Sequence, residues 1–141
     1  MLTFSIVKGI KNTRFAKDIR VRVFVDEQGF EDEFDDIDDR AWHIEGWDQQ
    51  RPVAVGRMFE SDQAGVYTIG RIAVIREWRQ KSIGKAVMEA LQDHARQQGA
   101  HAVELSAQCS AAGFYEKLGY VRVGDVYMDQ FCPHIKMRKS L

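Results

Sequence analysis

The chain is short of several things, and each shortage excludes something. Among its 141 residues there are two cysteines, Cys109 and Cys132, and two prolines, Pro52 and Pro133. Two thiols with no C-x-x-C pairing supply neither a disulfide framework nor a cysteine-rich zinc site. They read as buried structural thiols in a reducing compartment. There is no internal repeat and no Pro/Gly/Ser-rich linker, so a single domain over residues 1–141 is expected. No apolar run approaches the roughly 20 residues of a membrane span. The start, Met1 to Lys8, lacks the basic region and long apolar run of a secretory leader. Neither sign of charge dominates, with 20 Lys and Arg against 21 Asp and Glu and a net charge of −1. That balance argues against nucleic acid or an anionic membrane as partner. The expected home is the cytoplasm.

What is present is ordinary globular material, 45% hydrophobic and 29% charged, enough for one core. Leu2 to Val7 alternates as a first strand. Thr13 is placed to cap a helix on which Ala16, Ile19 and Val23 recur at helical spacing, with Gly29 as its stop. Glu31 to Asp39 is densely acidic and reads as a loop or irregular helix. Strand-like segments Ala41 to Trp47 and Val53 to Glu60 flank a polar turn, and Ser61 to Gly65 forms another. Tyr67 to Ile75 is apolar on both faces, as in a central strand. Ile83, Val87, Ala90, Leu91 and Ala95 share a helix face that Gly99 terminates. Val103 to Ser106 is a short strand. Ser110 is placed to cap a short helix bearing Ala111, Phe114, Tyr115 and Leu118, and Tyr120 to Met128 and Phe131 to Met137 close the chain as strands. The order β-α-β-β-β-α-β-α-β-β predicts one twisted mixed α/β sheet.

The most informative stretch runs from Ile72 to Ala86, from a buried strand through a basic loop into an amphipathic helix. Free amides and the dipole at a helix start make an anion site. Gly84 admits close approach to the backbone, and Arg79, Lys81 and Lys85 add positive charge. The turn reads equally as an anion seat or as close helix–strand packing with solvated cations. It is not a Walker A loop, because Arg79 stands where the first Gly is needed and Ala86 where Ser or Thr is needed. A G-x-G-x-x-G is absent too.

Arg79-Gln-Lys-Ser-Ile-Gly84 resembles the [Q/R]-x-x-G-x-[G/A] pyrophosphate loop of the GNAT acetyltransferases, with Ser82 in place of the motif's first Gly. Arg71-Ile-Ala-Val74 is similar to the family's pantetheine-lining strand. Further on, Gln108 to Tyr120 resembles the family's N-x-x-A-x-x-[LF]-Y-E-K-x-G-[FY] segment, with Gln108 for Asn. Val23 to Gly29 and Pro133 to Met137 resemble segments of small, stand-alone bacterial members. The resemblance thus spans nearly the whole chain. It implies a mixed, twisted central sheet of about seven strands flanked by helices, with a splayed acetyl-CoA cleft.

It also implies the chemistry, which is transfer of an acetyl group from acetyl-CoA, as co-substrate and without a metal, to a primary amine. Backbone groups of Ile72, Ala73 and Val74 would hold the pantetheine arm. Arg79, Gln80, Lys81, Ser82, Ile83, Gly84 and Lys85 would hold the pyrophosphate, with Gln108 also at the cofactor. Tyr115 is the expected general acid, since a phenol stays protonated near neutral pH; a core aromatic is the plainer reading. Glu27, His43 and Glu45 are candidates for the base, with His134 beside them, while His94 and His101 read as structural. The acidic segment is either a rim attracting a cationic acceptor or a solvated loop, with Phe30, Phe34 and Ile37 able to pack as a lid. Its spacing matches no EF-hand. The rival function is a non-catalytic acetyl-CoA-binding sensor or regulatory module. The partner is a small-molecule or peptide amine, and a homodimer is compatible with all of this.

Overall fold

The computed structural model describes all 141 residues. Seven strands form one mixed sheet: β1 (Leu2–Lys8), β2 (Trp42–Asp48), β3 (Arg51–Glu60), β4 (Val66–Val74), β5 (Ala102–Gln108), β6 (Val121–Asp129) and β7 (Cys132–Ser140). Their spatial order is β1-β2-β3-β4-β5-β7-β6. The helices are α1 (Ala16–Arg20), α2 (Ile83–Gln97) and α3 (Ala112–Lys117). The element order is the one the hydrophobic periodicity predicts. No helix is long and apolar enough to cross a membrane. The chain divides into two compact units, Met1–Phe59 with Ile69–Leu91, and Glu60–Thr68 with Gln92–Leu141.

In the first unit β1 and β2 pair antiparallel, with Phe4 opposite Gly46, and β2 pairs antiparallel with β3. A Cβ at Gly56 would lie 2.6 Å from Ile72 Cδ1, so a larger residue there would force the Ile72 side chain to shift. Ala16 and Ile19 of α1, with Val23 just beyond it, are buried against Val55, Ala73 and Ile75, with Phe15, Phe24 and Trp78 at the margin. After Arg20 the helix widens into a π-helical segment, Val21–Glu27. Gly29, at φ +84°, ends it, and the Gly29 amide donates to the Val25 carbonyl at 2.9 Å.

Thr13 does not cap α1. Its hydroxyl donates to the Ile10 carbonyl at 2.6 Å, and Phe15 occupies the cap position without a side-chain bond. Glu45 of β2 caps the helix from across the unit. Its carboxylate accepts from the amides of Arg14, Phe15 and Ala16 at 2.6–3.0 Å, and the residue is 1% exposed. A carboxylate on the first amides answers both the unmet donors and the helix dipole. Glu45→Ala should therefore cost about 2–3 kcal/mol of stability by orphaning buried amides. The check is a lower urea midpoint at unchanged slope.

In the second unit the start of β4 pairs in parallel with β5 at Val66–Thr68. β5 pairs antiparallel with β7 throughout, and β7 with β6. A bulge between Val123 and Tyr127 interrupts the last ladder, with Gly124 at φ +77° supplying its left-handed residue,. Ser110 does not cap the short helix either. Cys109–Ala111 makes a 3₁₀ turn, and Ala111 sits at the cap of α3. Tyr120, 2% exposed, donates from its hydroxyl to Gln92 Oε1 at 2.7 Å.

Candidate active site

In the first unit the residues expected at the cofactor are contiguous and locally ordered. Arg71, within β4, has φ +52°, a left-handed kink just before Ile72, Ala73 and Val74. After the 3₁₀ turn Arg76–Trp78, Arg79 fastens the loop: its Nε donates to the Val74 carbonyl at 2.9 Å, and its terminal nitrogens grip Glu27 at 2.6 and 3.0 Å. Gln80 and Ser82 are then left-handed, at φ +62° and +61°. Each such non-glycine residue costs roughly 1 kcal/mol. Left-handed residues alternating along a short loop gather successive N–H groups into a concave anion seat.

The first α2 ladder bond runs from the Ala86 amide to the Ser82 carbonyl, at 3.1 Å. The amides of Ile83, Gly84 and Lys85 therefore precede it and have no acceptor within the helix. Gln80, Lys81, Ser82 and Lys85 are exposed. Unmet amides, a small residue at position 84 and flanking lysines fit a diphosphate. No group of three or more His, Cys, Asp or Glu side chains is arranged to hold a metal ion.

The base candidates of this unit have other tasks. The hydrogen bonds from Arg79 hold the Glu27 carboxyl below its ordinary pKa, against the effect of burial, so Glu27 is a weakened base that orders the loop. His43 is 1% exposed, and its Nε2 meets the Asp38 carbonyl at 2.9 Å. Burial pushes the His43 pKa down. Glu45 is spent on α1, as described above.

Three of the seven carboxylates of the acidic segment, Glu33, Asp35 and Asp38, are paired with arginines of their own unit, while Glu31, Asp32, Asp36 and Asp39 are exposed. Arg20, 1% exposed, binds Glu33 at 2.9 Å and Asp38 at 2.6 Å. Arg57 binds Asp35 at 2.7 Å and Asp38 at 2.9 Å, and Arg71 binds Glu33 at 2.9 Å. Phe34, 42% exposed, stacks under the Arg20 guanidinium, 4.8 Å from its ring centroid. Asp35 and Asp38 also close a capping box over the 3₁₀ turn Asp36–Asp39.

Burial alone would raise the Asp38 pKa, but the hydrogen bonds of Arg20, the Asp35 amide and Arg57 bring it to about 2 from 3.8. The folded value is the depressed one, so this stabilisation is complete above pH ~4 and is lost as pH falls toward ~2, about 2 kcal/mol in all. The depressed His43 pKa adds a loss of the same sign below pH ~6.5. Urea midpoints should fall continuously on acidification, and Asp38→Asn should flatten the segment below pH ~4.

In the second unit Gln108 ends β5 and leads through Cys109–Ala111 into α3, which carries Tyr115. Tyr115 is half-buried, with Phe114 and Tyr120 edge-on at 5.0 and 5.9 Å. Burial pushes its pKa up to about 12, so the phenol remains protonated throughout the physiological range. Aromatic packing and a protonated hydroxyl are thus both present at this position.

The mixed seven-stranded sheet with its flanking helices has the architecture of acyltransferase structures. The chain belongs to the GNAT acetyltransferases: the acetyltransferase (GNAT) domain model matches residues 15–141. It is 35% identical over 136 residues to the uncharacterized N-acetyltransferase YjcF of Bacillus subtilis (strain 168), covering 92% of this chain and 96% of that one. The crystal structure of Escherichia coli ElaA superposes with a TM-score of 0.87 at 26% identity, over 99% of both chains. An acyl-CoA N-acyltransferase from Pseudomonas aeruginosa gives 0.83 at 30% identity, again over 99% of both.

Proposed function

We propose that this protein transfers an acetyl group from acetyl-CoA to the primary amine of a small molecule or peptide. The observation that carries the reading is the Arg79–Lys85 turn. A turn that keeps two non-glycine residues left-handed, and is fastened to Glu27 and Val74, holds strain that a bound diphosphate would justify. Loop amides and the first turn of α2 bind the pyrophosphate, and Lys81 and Lys85 add attraction screened by solvent. Backbone groups of Ile72, Ala73 and Val74 orient the pantetheine arm, with Gln108 as a further contact. Tyr115 supplies a proton to the departing sulfur. Cytoplasmic acetyl-CoA is the expected source.

Acetyl-CoA should raise the melting temperature by several degrees, since a hundredfold excess over Kd stabilises the native state by about 2.7 kcal/mol. NAD and ATP should shift it less. A panel of polyamines, amino sugars, amino acids and peptides, followed by CoA release, then identifies the acceptor. No shift and no calorimetric heat with acetyl-CoA would sink the reading. Binding without CoA release from any amine would instead favour a non-catalytic sensor.

A further inference from the structure

In the first unit the segment expected to carry the pantetheine arm, residues 72–74, is tied at its far end. Arg79 Nε donates to the Val74 carbonyl at 2.9 Å, and the next amide, that of Ile75, donates to the Val53 carbonyl at 3.0 Å. The near end follows Arg71, which is left-handed at φ +52°. A non-glycine residue keeps that conformation only where its surroundings hold it there. The Arg71 side chain is held by Glu33, 38 residues earlier in the chain. We infer that Glu33, bridged between Arg20 and Arg71, is a positioning residue that sets the direction of residues 72–74 and with it the placing of the thioester. This deepens the acetyltransferase reading above and rests on it.

Glu33 belongs to a stretch with no helix or strand of its own, yet it is only 7% exposed. Its Oε2 lies 2.9 Å from the Nε of both Arg20 and Arg71. Its carbonyl oxygen accepts from Nη2 of each arginine at 3.0 Å. One residue thus joins the end of α1 to the kink of β4 through side chain and backbone together. Ala16 and Ile19 of α1 share a buried cluster with Ala73 and Ile75, so the helix that carries Arg20 also packs on the segment being placed.

Buried charges are tolerated where they are matched. Here Arg20, Arg57 and Arg71 face Glu33, Asp35 and Asp38, three cations against three anions. Without Glu33, Arg20 would keep Asp38 at 2.6 Å, and Arg57 would keep Asp35 and Asp38 at 2.7 and 2.9 Å. Arg71 would keep an Asp35 carboxylate 3.5 Å away. Loss of the Glu33 charge therefore loosens Arg71 most.

Attack on a thioester requires its carbonyl in one direction, and misplacement by about 1 Å can cost ~10²-fold in rate. The diphosphate turn has separate anchors in Glu27 and the Val74 carbonyl. The bridge should accordingly act on turnover more than on cofactor affinity.

The test uses acetyl-CoA and the best acceptor from the amine panel. Glu33→Gln keeps the size of the side chain and removes its charge. Its kcat should fall about tenfold or more, with the acetyl-CoA Kd from calorimetry within about threefold of wild type. Arg71→Gly makes the left-handed conformation unstrained but cuts the bridge, so its kcat should fall alike. The double variant restores the balance of buried charge, Arg20 and Arg57 against Asp35 and Asp38. Its urea midpoint should recover above that of Glu33→Gln, while its kcat stays near that of the lower single variant. A purely structural Glu33 predicts a kcat that recovers along with stability, and that result overturns the assignment. A folded Glu33→Gln with kcat within about twofold of wild type overturns it too. If Glu33→Gln does not fold, Arg71→Gly and the double variant decide by the same criterion on kcat. A wild type that binds no acetyl-CoA, or binds it and acetylates no amine, fails before any variant is compared, and removes the parent reading and the bridge's role with it.

Discussion

Gly84→Asp should weaken acetyl-CoA binding by ~2 kcal/mol or more, roughly thirtyfold in Kd, while leaving the protein folded. Position 84 is the second residue of α2, ahead of the first ladder bond from Ala86 to Ser82. A side chain there competes for the amides of the first turn, and its charge repels a diphosphate. The same charge suits a free helix N-terminus, so stability should change little. That separation makes the test informative. The preceding loop keeps its own anchors, because Arg79 remains bound to Glu27 at 2.6 Å and to the Val74 carbonyl at 2.9 Å. Calorimetry on a variant with wild-type circular dichroism is the measurement. Unchanged affinity would move the diphosphate away from this turn.

The parts legible in the sequence are those whose cause is local. The α2 face was readable because Ile83, Val87, Leu91 and Ala95 recur at helical spacing, and all are buried. The turn from Arg79 to Lys85 is legible because its residues are contiguous, and the structure adds why Ser82 is a departure from the motif. At φ +61° it occupies a conformation that suits glycine,. What stayed hidden depends on residues far apart in the chain. Thr13 looked like a cap, but the acceptor for the α1 amides is Glu45, brought up by the β1–β2 pairing. The acidic segment looked like a rim or a solvated loop. Its Glu33, Asp35 and Asp38 are matched by Arg20, Arg57 and Arg71, which come from α1, β3 and β4, while Glu31, Asp32, Asp36 and Asp39 stay exposed. The π-helical turn carries a sequence trace in Val21, Val23 and Val25, β-branched residues crowded on a helix,. That trace announces discomfort without saying how the backbone relieves it.

Tyr115→Phe should lower kcat about 10²-fold with little change in acetyl-CoA affinity, because the lost hydroxyl acts mainly in the transition state. The ring contacts with Phe114 and Tyr120 survive the substitution, so stability should stay near wild type. The raised pKa, about 12, refines how the proton moves. Burial holds the phenol protonated, so ionising it ahead of delivery to a thiolate whose conjugate acid lies near ~8.5 is unfavourable. On the proposed reading, transfer accompanies cleavage of the carbon–sulfur bond, as charge grows on the sulfur. Two consequences follow for the pH profile. Wild-type kcat should show no alkaline decline from this group below pH ~10, since the phenol stays protonated there. Acyl donors with a more acidic leaving thiol, which need less help, should narrow the gap between Tyr115→Phe and wild type. A folded Tyr115→Phe with near-wild-type turnover would reduce Tyr115 to a packing residue. Weaker acetyl-CoA binding at unchanged kcat would show instead that its hydroxyl only positions the sulfur.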